Sequence, residues 1–176
     1  NGLIEQMVKY DIDCVTFGDD WGTQQGLMIA PQQFKKIFKP RYADQFARIK
    51  DAGKKIWFHC CGQVYDLIED MIEIGVDVME LLQPDVFGTA DIAGVERLAR
   101  DFGGDVTFCC SVDHQRRALN STPEEITDYV DYLVSTLGAF KGGFVANIED
   151  YKCLGMSEET YFAIRAAFMK YTDKKI

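Results

Sequence analysis

The sequence predicts an α/β fold of the (β/α)8 TIM-barrel type, with this chain covering about the last five β/α units. Three observations carry that expectation. Short apolar runs alternate with segments of helical period, which calls for parallel strands joined by helical crossovers. Every strand candidate ends in polar or metal-capable residues, as strands do at the mouth of a barrel, where barrel active sites lie. No glycine-rich phosphate loop follows any strand, so the usual signature of an open, doubly wound sheet is missing. A complete barrel has eight strands and typically about 250 residues, more than these 176 supply.

The chain opens in a helical pattern, Gly2 to Lys9, without an initiator methionine, as a fragment or processed product would. The first strand is expected over Asp13 to Gly18, followed by the loop Asp19-Asp20-Trp21-Gly22-Thr23-Gln24-Gln25-Gly26. Pro31 suits the first turn of a long helix on which Phe34, Ile37, Phe38, Tyr42, Phe46 and Ile49 share a face. Pro40 is expected to kink that helix because proline removes a backbone donor, and Gly53 ends it. Lys54 to His59 reads as the second strand, and Val64, Leu67, Ile68, Met71 and Ile72 mark a helix closed by Gly75. Val76 to Leu81 is the third strand, Ile92 to Phe102 the next helical stripe, and Val106 to Cys110 the fourth strand. Thr122-Pro123-Glu124-Glu125 has the pattern of a capping box with proline in the first turn. Ile126, Tyr129, Val130, Leu133 and Leu137 then form a buried stripe that Gly138 stops. Gly143 to Asn147 is the fifth strand, and a last helix runs from Ser157 to Tyr171.

Residues 1–176 read as a single domain, long enough for a sizeable core. A net charge of −9 argues against a nucleic-acid or anionic-membrane partner. The chain has no apolar run long enough to span a bilayer and no signal-peptide pattern, so a cytoplasmic location is expected. Six cysteines without an export signal are then expected to be reduced thiols, with Cys14, Cys109 and Cys110 serving mainly as core residues. An incomplete barrel exposes strand edges and an apolar face, which predicts a homo-oligomer or a longer parent chain.

The chemistry centres on Phe58-His59-Cys60-Cys61-Gly62. Alternation along a strand sends His59 and Cys61 to one face and Cys60 to the other. Successive same-face residues stand about 7 Å apart, within reach of one tetrahedral zinc ion. Asp19 and Asp20 are placed to bind substrate or a metal, or to cap their loop through side-chain-to-backbone bonds. Trp21 reads as a wall or lid, and His114 and Arg116 as solvated loop residues.

Several stretches, in order, resemble the motif series of the uroporphyrinogen decarboxylase superfamily. They are Phe17-Gly18-Asp19-Asp20-Trp21-Gly22, Ala30-Pro31-Gln32-Gln33-Phe34, Lys39-Pro40-Arg41-Tyr42, Trp57-Phe58-His59-Cys60-Cys61-Gly62 and Ile74-Gly75-Val76-Asp77-Val78. Leu82-Gln83-Pro84, Ser111-Val112-Asp113, Thr122-Pro123-Glu124-Glu125 and Gly142-Gly143-Phe144 continue it. The resemblance implies a TIM barrel and two candidate chemistries. One is cofactor-free decarboxylation of uroporphyrinogen. The other is zinc-dependent transfer of a methyl group between a corrinoid protein and a small thiol. His59-x-Cys61 matches the zinc motif of the second branch, and Cys153 is the late cysteine, although Asp150 falls nearer the position the family uses. Glu80 matches a glutamate of thiol-methylating zinc sites and is expected as a fourth ligand or an outer partner.

The resemblance therefore implies zinc on His59, Cys61 and Cys153, with Glu80 or Asp150 as alternative ligands. Catalytic roles fall to Asp19, Asp20 and Glu80, and substrate contacts to Trp21, Gln83, Asp113 and Asn147. The methyl-corrinoid would come from a partner protein. The decarboxylase is the rival reading, its arginine-rich grip on substrate carboxylates not visible in this chain. An inactive binding fragment is the second rival.

Overall fold

The computed structural model describes residues 2–140, 143–149 and 151–172, the side chains of 151 and 153 excepted. The chain divides into two compact units, Asn1–Glu80 and Leu81–Ile176. Both are built from parallel strands alternating with helices, the α/β arrangement expected from the hydrophobic pattern.

The first unit carries strands β1 (Cys14–Gly18), β2 (Lys55–His59) and β3 (Val78–Glu80) in that spatial order. Gly18 pairs with His59, and His59 with Glu80, so the three strands end level with one another. Along β2, Ile56 and Phe58 are fully buried while Lys55, Trp57 and His59 occupy the opposite face. Phe58 lies 5.4 Å from the Tyr42 ring and 6.3 Å from that of Phe46, both on the helix Lys39–Asp51. Burial of such side chains stabilises the unit by about 2–3 kcal/mol each. It also pins β2 so that His59 can only face away from the helices.

At Pro40, where a kink is expected, the helical turn itself changes. The residues Phe34–Phe38 widen into a π turn, in which the Lys39 N–H donates to the Phe34 carbonyl, and Lys39–Asp51 continues beyond it. The wider turn gives the proline ring space where an α-helical carbonyl would clash. The third strand is shorter than Val76 to Leu81, because the Val76 N–H closes the preceding helix on Met71.

Asp77 starts the β2–β3 pairing: its N–H donates to the Ile56 carbonyl (2.9 Å) and its carboxylate accepts the Ile56 N–H (2.8 Å). Burial alone would raise its pKa, but Lys50, the Ile56 N–H and Lys55 together hold the carboxyl below its ordinary range. With a depressed folded pKa, the stabilisation is present above about pH 4 and lost as pH falls through the folded value. The exposed lysine pairs contribute little, so the Ile56 bond dominates. Asp77→Ala is expected to lower stability by about 1–2 kcal/mol near pH 7 and to flatten the acid limb of a denaturation-versus-pH curve. An unchanged acid limb would contradict this.

The second unit carries β4 (Thr107–Cys110) and β5 (Phe144–Ala146), paired Phe108 to Phe144 and Cys110 to Ala146. Its longest helix, Pro123–Leu137, starts at the predicted capping box: Thr122 N–H donates to Glu125 Oε2, and Glu125 N–H to Thr122 Oγ1. Gly94–Phe102 and Glu158–Met169 are the other long helices of this unit. Cys109 and Cys110 are buried as expected, whereas Cys14 in the first unit is only half-buried. Among the described residues no helix is long and apolar enough to cross a membrane.

Candidate metal centre

Beyond the ends of β1 and β2 the chain forms two loops held together by backbone N–H groups that donate across the gap. The Trp21 N–H donates to Cys60 Sγ (3.3 Å), the Cys61 N–H to Asp20 Oδ1 (3.0 Å) and the Gln63 N–H to the Thr23 carbonyl (2.7 Å). Two glycines make the approach possible. Gly62 adopts φ +75°, and a Cβ there would lie 2.5 Å from the Gly22 carbonyl carbon; one on Gly22 would lie 2.8 Å from the Cys61 carbonyl oxygen. These contacts carry Asp20 across to the end of β2, which neither the periodicity nor the spacing of the sequence could show.

The result is a three-donor cluster of Asp20, His59 and Cys61 whose ligand atoms all lie within 4.8 Å of one another. Cys61 Sγ is 3.4 Å from His59 Nε2, and His59 Nε2 is 3.7 Å from Asp20 Oδ1. Donors bound tetrahedrally at about 2.0–2.3 Å stand about 3.3–3.8 Å apart. The two pairs that include His59 fall in the range for a zinc-sized ion, and the third, Asp20 with Cys61, lies within 4.8 Å. The strand itself ends at His59, and the turn at Gly62 lets the thiol lean back toward the imidazole.

On the other edge of the imidazole, His59 Nδ1 is 3.4 Å from Glu80 Oε1, while Glu80 Oε2 accepts the Trp57 indole N–H. Glu80 therefore sits beside the nitrogen that faces away from the cluster, the position of an orienting partner. Cys60 points to the helices and is 2% exposed; burial pushes its thiol up to about 12 despite the Trp21 N–H, so it stays protonated at neutral pH. Of the vicinal pair, Cys61 is the one that can ligate. Asp19 accepts from the Tyr42 hydroxyl, whose ionisation is pushed up by burial and by Asp19 itself. Trp21 packs edge-on against Phe38 (4.5 Å) and Phe34 (5.6 Å), forming a wall.

The other predicted site residues belong to the second unit. Gln83 and Asp113 are buried, and Gln83 Nε2 lies 2.9 Å from His114 Nε2. Asp113 accepts the N–H groups of Gln115 (3.1 Å) and Arg116 (2.9 Å), and burial is the main cause that raises its pKa. His114 is buried rather than solvated, since it closes on Gln83; Arg116 is exposed as expected. Asn147 follows β5, its N–H donating to the Cys110 carbonyl (3.0 Å). Cys153 falls in the short helix Tyr151–Leu154, its side chain outside the described residues, as are Asp150 and Gly142 of the motif series.

A family profile described as "Uroporphyrinogen decarboxylase (URO-D)" matches residues 2–167. Among solved structures, a methyltransferase from Methanosarcina mazei aligns over 96% of this chain at a TM-score of 0.66 and 15% sequence identity. The chain spans 45% of that structure's length. The likeness supports the partial barrel expected from the sequence. Comparison with curated proteins finds no significant match.

Proposed function

Since the chain belongs to the uroporphyrinogen decarboxylase (URO-D) family, a family of enzymes, we propose that it takes part in zinc-dependent methyl transfer between a corrinoid-bound donor and a thiol-type acceptor. The observation that carries this reading is the convergence of Asp20, His59 and Cys61 within 4.8 Å of one another, with His59 at zinc-like spacing from each of the other two. The fold likeness to a methyltransferase supports it. Zinc bound there would act as a Lewis acid that lowers the pKa of an acceptor thiol and so favours the nucleophilic thiolate.

The chain's own residues supply the rest. Asp20, His59 and Cys61 would hold the ion, with a carboxylate and a thiolate to offset its charge and an imidazole nitrogen as the third donor. Three donors leave one tetrahedral position for the acceptor. Cys60 stays protonated and out of competition. Asp19, tied to Tyr42, fixes the loop that carries Asp20, and the Trp21 ring shields the base of that loop from water.

Protein purified from zinc-supplemented cells is expected to contain about one zinc ion per chain, and His59→Ala is expected to lose it, by elemental analysis. Zinc far below stoichiometric level would contradict the proposal. Metal-independent decarboxylation of a porphyrinogen by such a preparation would favour the decarboxylase instead.

A further inference from the structure

We infer that Trp57 is a positioning residue for the metal centre, acting through Glu80 to set the tautomer and aim of His59; as a statement about zinc, this rests on the function proposed above. Trp57, His59 and Cys61 occupy successive alternate positions, with Phe58 and Cys60 turned into the core between them. The register places Glu80 directly opposite His59 and diagonally from Trp57, which pairs with Val78. A diagonal neighbour on the adjacent strand is within reach of an aromatic side chain. The two oxygens of Glu80 are accordingly divided: Oε2 accepts the indole N–H, and Oε1 lies 3.4 Å from His59 Nδ1.

The division has a chemical consequence. Glu80 Oε1 presents an acceptor to the Nδ1 edge, so the imidazole gains by carrying its proton on Nδ1. That leaves the Nε2 lone pair aimed at Cys61 and Asp20, as a metal ligand requires. The indole N–H holds the other oxygen and so favours the carboxylate orientation that presents Oε1 to that edge. Glu80 has a side-chain exposure of only 16%, and deleting the indole donor removes the bond that holds Oε2 on the Trp57 side, away from the cluster. Trp57 thus selects the orienting role of Glu80 over the ligating one.

Wild type, Trp57→Phe, Glu80→Gln and the double variant are the chains to compare. Phenylalanine keeps the ring and deletes the donor; glutamine keeps the shape of Glu80 and removes its charge, so each tests the relay if the other folds poorly. The first readout is 15N NMR of the metal-free protein, above the pH at which the ring protonates. Wild type is expected to carry the His59 proton on Nδ1, and both variants to shift population toward Nε2–H. The second readout is zinc competition against a chelator, where each single variant is expected to bind about tenfold more weakly and the double variant no more weakly than Glu80→Gln.

A wild-type proton on Nε2, a Trp57→Phe affinity equal to wild type, or additive losses in the double variant would overturn the inference. Wild type that shows the Nδ1 proton and its Trp57 dependence yet binds no zinc would sink the proposed function and leave the relay standing.

Discussion

Gly62→Ala is expected to yield a protein that is severely destabilised and binds zinc poorly. Two separate costs fall on the added methyl. The backbone sits at φ +75°, a conformation that costs an L residue about 1–2 kcal/mol. The new Cβ would also lie 2.5–2.7 Å from the carbonyl carbon and oxygen of Gly22 and the carbonyl oxygen of Thr23. Those atoms are backbone and cannot rotate away. Relief requires the two loops to separate, breaking the Cys61-to-Asp20 and Gln63-to-Thr23 bonds that assemble the donors. The combined loss should exceed about 4 kcal/mol, a large fraction of the roughly 5–15 kcal/mol by which a typical domain is stable. Gly53→Ala is the control. It has nearly the same backbone, φ +73°, but nothing within 4 Å of its Cβ, so it should cost only about 1–2 kcal/mol and leave zinc binding intact. Urea denaturation and chelator competition on the two variants decide the matter. Equal losses would show that the loop contact is not what builds the site.

Cys61→Ser is expected to do the reverse: remove the metal and spare the fold. In four-ligand structural zinc sites each ligand's share of the apparent binding energy is about 3 kcal/mol, so removing one of the three donors here should cost at least roughly a hundredfold in affinity. Cys61 is half-exposed, and near-isosteric change at such a site moves metal-free stability by about 0.5 kcal/mol or less. Its neighbour should behave oppositely. Cys60→Ser places a hydroxyl at a position 2% exposed, which should cost about 1–2 kcal/mol of stability with zinc retained. If both serine variants bind zinc like wild type, neither thiol is a ligand.

The strand-and-helix order was legible because it rests on short-range signals. Gly53 and Gly75 both follow their helices with positive φ, and Thr122 to Glu125 forms its capping box. The common face of His59 and Cys61 was legible for the same reason, as a matter of parity along a strand. The π turn at Phe34–Phe38 was not, because a proline signals only that the α-helical bond is lost, not how the chain makes room. The burial of His114 depends on Gln83, 31 residues away, and no local pattern encodes it. Asp20 is the instructive case. It was visible as a polar loop residue with several possible roles. Its place among the donors depends on Gly22 meeting Gly62, a contact between loops that are distant in the chain. Trp57 left a usable trace: a ring two positions before His59, on the same face, with a glutamate on the next strand.

X-ray absorption of the zinc-loaded protein tests the Asp20–His59–Cys61 donor set most directly. One sulfur at about 2.3 Å is expected, with the remaining ligands nitrogen or oxygen at about 2.0–2.2 Å, an imidazole signature that disappears in His59→Ala, and no sulfur in Cys61→Ser. Two sulfurs would bring Cys153 into the site in place of Asp20, and a shell without sulfur in the wild type would contradict the donor set altogether.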